Sequence, residues 1–247
     1  GIFQFGSKFS KTLRFSDINY AIASKEDKTA MFLNYSELLN ALDTGSTTKI
    51  TINNKRLNRQ NFEETILLPP RGDFLDGYRA EYNTMLTDKV TDSSNSVVQE
   101  RYITVSTHKK NVDEARTFFD RVIGDVTSRL NKLDSHSEEL DAIERLRILH
   151  DFYRVGEETE FHFNLKDSMR KGASYKDAIC PDSMEFKKDH FVMGDKFGRV
   201  LFLKEYASYI KDSMINELTE LNRTLMLSID VIPVPTDEAV REMQNRL

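Results

Sequence analysis

The sequence predicts an α+β fold, in which antiparallel or mixed sheets carry helices packed on one face. Three observations lead there. The hydrophobic period switches repeatedly between about 2 residues, the strand repeat, and about 3.6, the helix repeat. Of the 247 residues, 39% are hydrophobic and 30% charged, which supplies enough apolar material for a core. Residues 97–234 read β-α-β-β-α-β, the ferredoxin-like pattern, once one inserted helix is set aside.

The elements follow in order. Lys8–Phe15 alternates as a strand through Phe9, Leu13 and Phe15. From Ser24, a residue type suited to an N-cap, a helical stripe runs through Met31, Phe32, Tyr35, Leu38, Leu39 and Leu42, and Gly45 closes it. Residues 48–52 read as a strand with Thr48 and Ile52 on the face of Ile50. Pro69, Pro70 and Gly72 break the chain before a helix that carries Phe74, Tyr78, Tyr82, Met85 and Leu86 on one side. Ser93-Ser94-Asn95-Ser96 reads as a linker, so the first subdomain is placed at 1–92.

The second subdomain, 97–234, opens with a strand over 97–106. Asn111 and Glu114 form a capping box for a helix with the stripe Val112, Ala115, Phe118, Phe119, Val122, Val126 and Leu130. A second helix spans about 138–154 through Leu140, Ile143, Leu146, Leu149 and Phe152. Strands follow at 184–193 and 199–204, with Gly194 and Gly198 turning between them, then a helix from Tyr206 through Leu221 and a strand over Leu225–Val231. Residues 235–247 start a further helix through Ala239, Val240 and Met243. With a start at Gly1 and a helix still running at Leu247, both ends read as cuts.

Composition narrows the function classes. Gly 10 and Pro 5 make about 6% of the chain, half the usual share of about 12%, so few glycine-rich loops exist to cradle phosphate. The single cysteine, Cys180, excludes an intramolecular disulfide and a multi-cysteine zinc site. A net charge of −5 argues against nucleic-acid binding through bulk charge. The longest apolar stretch, near 224–234, is too short to span a bilayer.

Residue by residue, no catalytic site emerges. Residues 1–8 approximate a P-loop, but serine and lysine are reversed and no strand precedes them. His150-Asp151 suggests an oriented imidazole, yet helix neighbours point about 100° apart and are expected not to face each other. Carboxylate pairs occur at Glu63-Glu64, Glu138-Glu139 and Glu157-Glu158; the last supports an alternative reading as a hydrolase with a two-carboxylate cleft. Cys180, before Pro181, has no base signature beside it. Tyr102, Phe186, Phe191 and Phe202 allow a further alternative, a ferredoxin-like module that stacks single-stranded nucleic acid.

Several segments nonetheless resemble a known family. Residues 73–86, DFLDGYRAEYNTML, resemble its "DxYRxEYNxML" helix, and 101–105, RYITV, the strand after it. Residues 144–153, ERLRILHDFY, resemble "ERLxxLHDxxxxG", with Gly156 near the expected glycine, and 191–198, FVMGDKFG, resemble "FxMGxKYG" with Phe197 for tyrosine. The family is the conjugative-transfer ATPase of type IV secretion systems, the fourth VirB component, in its Gram-positive conjugative-element form. The resemblance runs in order from about Asp17 to Val240.

It implies an amino-terminal docking and assembly domain, with ATP and magnesium belonging to a motor domain beyond this chain and no cofactor or catalytic residue within it. It also implies a cytoplasmic location, peripheral at the cell membrane, contacts with small inner-membrane channel components, and self-association in the full protein. Direct nucleic-acid binding is not expected. Phe74, Tyr78, Arg79 and Tyr82 are the candidate interface residues, since tyrosine and arginine are enriched at protein interfaces.

Overall fold

A computed structural model describes residues 1–18, 20, 22–56, 66–92, 97–205 and 213–246. The linker read at 93–96, the Glu63-Glu64 pair and the start of the 206–221 helix lie outside the described residues. The fold is α+β. The chain groups into two compact units: Gly1–Asn53 with Gln99–Ala142 and Met226–Leu247, and Asn54–Val98 with Ile143–Leu225. This grouping cuts across the sequence division at 92 and 97, because each unit is assembled from separated stretches.

The first unit is built on one sheet. Its strands are β1 (Phe3–Phe5), β2 (Lys8–Phe15), β3 (Ser46–Arg56), β4 (Val97–His108), β5 (Ser137–Glu139) and β9 (Leu225–Val231), with the last residues of β3 from Asn54, the first two of β4 and Leu225 of β9 counted in the second unit. They lie in the order β1-β2-β4-β3-β9, with β5 also on β2. β2 pairs antiparallel with β4 from Lys8 opposite His108 to Phe15 opposite Arg101. β1 and β5 divide the outer edge of β2: Phe3 faces Ser10, and Ser137 faces Phe15.

Two helices of this unit, α1 (Lys25–Asn40) and α3 (Val112–Lys132), follow their caps. Ser24 Oγ accepts the Asp27 N–H, and Asn111 Oδ1 accepts the Glu114 N–H at 2.8 Å. The Glu114 carboxylate reaches back to the Lys110 N–H at 3.4 Å, one residue short of the expected capping-box partner. α3 ends with Asp134 in the left-handed region (φ 56°) and the Ser135 N–H on the Leu130 carbonyl, a Schellman closure. Its apolar stripe is buried as expected, with Phe119 fully covered, except that Val112 is exposed and Ile123 joins. Phe9, Leu13, Ile103 and Val105 supply the sheet side of the same core.

α1 departs from its predicted stripe. Leu38 and Leu42 are buried, whereas Phe32 and Tyr35 stand exposed, because the helix joins the core only through its last turns. The start of the predicted 138–154 helix is instead β5. Glu138 lies directly opposite Arg14 and bonds it at 2.5 Å, and Glu139 pairs with Lys11. Opposite charges across an antiparallel pair favour the strand. Arg14 holds the Glu138 carboxyl below its ordinary range.

The second unit contains α2 (Asp76–Asp92), α4 (Ala142–Tyr153), α5 (Leu165–Lys171), α6 (Lys176–Ile179) and α7 (Ser213–Thr219). It also holds a small antiparallel sheet, β6 (Met184–Phe186), β7 (Phe191–Met193) and β8 (Lys196–Gly198). α8 (Thr236–Arg246) returns to the first unit.

The β-α-β-β-α-β grouping read over 97–234 is therefore distributed differently. β4, α3 and β9 belong with the first unit's sheet, β6 to β8 form their own, and 199–204 carries no strand. The first unit itself contains the succession β2-α1-β3-β4-α3-β5, with β3 and β4 separated by the long excursion into the second unit.

Candidate protein interface

Each segment singled out by resemblance has a physical reason to look as it does. Residues 73–86 build a self-clamped helix start. Asp76 accepts the backbone N–H groups of Arg71 (2.9 Å) and Gly72 (2.7 Å), and Gly72 turns at φ 75°, a region that favours glycine. Asp73 accepts the Leu75 N–H and takes both Arg79 amino groups, while Arg79 also bonds Asp76. The Arg79 guanidinium holds Asp73 low. Asp76 is lowered first by the Arg71 N–H and then by Arg79. Asn83 pins the preceding strand of chain as a backbone would, donating to the Leu68 carbonyl and accepting its N–H, both at 2.9 Å.

This clamp displays aromatic rings to solvent. Phe74 is 89% exposed and Tyr78 70%, with Tyr82 and Met85 also exposed. Tyr78, Tyr82 and Met85 follow the i, i+4, i+7 spacing of one helix face. Of the four candidate interface residues, Phe74, Tyr78 and Tyr82 are presented outward. Arg79 is half-buried and engaged within its own chain, so it shapes the face rather than covering it.

Residues 144–153 form α4, and their burial explains the pattern. Leu146, His150 and Asp151 are buried. Contrary to the expectation from helical angles, His150 Nδ1 meets Asp151 Oδ1 at 3.3 Å. Lys55, at the end of β3, donates to the other carboxylate oxygen at 2.8 Å, and the His150 ring lies tilted against Phe161, centroids 5.1 Å apart. A buried carboxylate held between a lysine and an imidazole is a structural charge cluster. Burial pushes the neighbouring Arg145 down to about 10, which leaves it protonated at neutral pH.

Arg154, just after α4, ties three groups: the Cys180 carbonyl (2.9 Å), Glu157 (2.8 Å) and Asp182 (2.8 Å). Of the two carboxylates weighed as a hydrolytic pair, Glu157 thus answers Arg154, and Glu158 accepts the Gly156 N–H. Cys180 is an exposed free thiol. Residues 1–8 form the β1–β2 hairpin, with Gly6 at the turn (φ 59°). Among the described residues, no group of three His, Cys, Asp or Glu side chains converges to hold a metal ion.

Residues 191–198 are a hairpin that requires its glycines. Gly194 turns at φ 59°, and the Phe191 ring lies over Gly198 so closely that a Cβ there would fall 2.2 Å from ring carbons. Beyond the hairpin, Val200, Leu201, Phe202 and Leu203 are all exposed, Phe202 to 81%. The sequence read this run as a strand; four consecutive apolar residues without alternation were the sign that one sheet face would not account for them. The roles of Lys55, Asn83 and Arg154 carry no local sequence signal. No helix among the described residues is long and apolar enough to cross a membrane.

No protein-family profile matches the chain, and no curated protein matches it.

Proposed function

We propose that this chain is a non-catalytic docking and assembly region of a type IV secretion ATPase of the conjugative kind, joining a motor domain to membrane channel components. The observation that carries the reading is the aromatic face of α2, held by its own polar clamp and turned to solvent. Aromatic anchors on a preorganised element bind at low entropic cost. The resemblance of residues 73–86, 101–105, 144–153 and 191–198 to that family's motifs supports the reading of a motor and channel as partners, and of a peripheral position at the cytoplasmic side of the membrane.

Two measurements test this. The purified chain neither binds nor hydrolyses ATP; turnover by this chain alone would sink the proposal. Co-expressed with the small membrane proteins of its own transfer system, it co-purifies with them, and Tyr78→Ala with Tyr82→Ala abolishes the association. Retention of full binding by that double variant removes α2 as the docking face.

A further inference from the structure

The second unit presents a further apolar surface, distinct from α2, and its geometry selects what covers it. Val200, Leu201, Phe202 and Leu203 are exposed in succession, from 49% for Leu203 to 81% for Phe202, after an exposed Phe197. Four consecutive side chains do not share one face, in a strand or in a helix. A protein groove or a sheet edge that covers one side of such a segment therefore leaves the other side in water. A medium that surrounds the segment buries all four together, and the boundary between lipid headgroups and acyl chains is such a medium.

Charge fits the same occupant. Arg199 and Lys204 bracket the run, and Arg199 Nε donates to the carbonyl of Asp189 at 2.8 Å, which brings the neighbouring Lys188 toward its start. The nearby carboxylates are engaged locally: Glu185 with Lys187, Asp195 with Lys196 and Asp189 with Arg199. Lys188 and Lys204 have no carboxylate partner among the described residues, and Glu205 is the one carboxylate of this stretch left without a base. Basic side chains at the ends of an apolar run reach back to phosphate while the run itself is buried. Among the described residues, the backbone of 200–204 makes no hydrogen bond. That limits its depth to the zone where headgroup water still reaches the N–H and C=O groups.

We infer that residues 197–204 bind a phospholipid surface directly, with Leu201 and Phe202 entering the headgroup boundary and Arg199 and Lys204 on headgroup phosphates. The docking reading holds the chain at the membrane through channel proteins on α2. This contact is with lipid itself, at another surface, and does not rest on that reading.

The composition supplies the probe. The chain contains no tryptophan, so Phe202→Trp places a single reporter in the run. On protein-free vesicles of phosphatidylethanolamine and phosphatidylglycerol, its emission is expected to shift to the blue and to be quenched by lipids brominated on the acyl chain. Leu201→Asp with Phe202→Asp is expected to lower vesicle cosedimentation more than about tenfold, as loss of two buried apolar side chains predicts. Both side chains are exposed, so folding, checked by circular dichroism, is retained. Lys188→Gln with Lys204→Gln lowers it less. Absence of vesicle binding by the unaltered chain, or binding that the aspartate pair leaves undiminished, overturns the inference. So does a reporter that shifts on a single-stranded oligonucleotide, or on the channel proteins in detergent, but not on vesicles. Tyr78→Ala with Tyr82→Ala is expected to keep vesicle binding while losing the membrane proteins. If vesicles are not bound and that pair still loses those proteins, the lipid inference fails and the docking reading stands. If vesicles are bound and the proteins are never retained, the docking reading fails and the lipid contact stands.

Discussion

The two units spend similar residues in opposite ways. The first seals Phe9, Phe119 and Ile123 between the sheet and α3, though Phe5, Phe32 and Tyr35 of the same unit stand exposed, and charges sit at its edges, as in Arg14–Glu138. The second holds its elements in place with polar clamps, Arg79 on Asp73 and Asp76, Asn83 on Leu68, Arg154 on Glu157 and Asp182, and turns aromatic rings outward. A clamp made of hydrogen bonds fixes a loop without consuming apolar surface, which leaves that surface free for a partner. The first unit thus has the character of a scaffold and the second that of a display.

Phenylalanine tests this contrast most sharply. Phe119→Ala, in the first core, is expected to cost about 3–5 kcal/mol by leaving a cavity, read as a lowered urea midpoint. Next comes a buried charge cluster of the second unit. Asp151→Ala removes the carboxylate that Lys55 and His150 both meet and is expected to cost about 3 kcal/mol; a change near zero would show that the cluster is solvated rather than buried. Gly198→Ala forces the Phe191 ring off the β8 backbone, with an expected loss of about 1–3 kcal/mol and altered aromatic resonances of the hairpin.

Acid gives a smaller and more local effect. Asp73 and Asp76 have folded-state values below the ordinary carboxylate range, so their contribution is fully present above about pH 4 and fades as pH falls through the lowered values. The protection factors of the Arg71 and Gly72 amides, taken against the intrinsic exchange rate at each pH, are therefore expected to fall in acid, and Arg79→Ala to shift that onset upward. The smallest effect closes the comparison. Phe202→Ala, the same residue type as Phe119 but exposed, is expected to change stability by less than about 0.5 kcal/mol, read as an unmoved urea midpoint.

How much of this was legible varied with distance along the chain. α3 could be read almost whole, because its cap, stripe and closure all lie within a few residues of one another. α2 was also readable as a helix with an aromatic side, yet whether that side faced a core or solvent was not, since an amphipathic pattern is the same in both cases. For α1 the stripe predicted burial for Phe32 and Tyr35 that the packing did not provide. Of the candidate interface residues, Phe74, Tyr78 and Tyr82 are exposed, and Arg79 bonds Asp73 and Asp76 at its own helix start, a pairing that residue type alone does not show. Glu138-Glu139 looked like a helix start, and only the presence of Arg14 and Lys11 across the sheet made it a strand.

The sequence by itself determined the local pieces: where helices start at Ser24 and Asn111, where the hairpin turns at Gly194, and the α+β class they add up to. These follow from caps, turns and periods that act over a few residues. Tertiary structure alone decided which strands share a sheet, that β6 to β8 stand apart, and that Lys55 reaches Asp151 from 96 residues away. Such pairings compete with many others of similar local chemistry, and only the packing of the whole unit, with its closure entropy and buried area, selects among them.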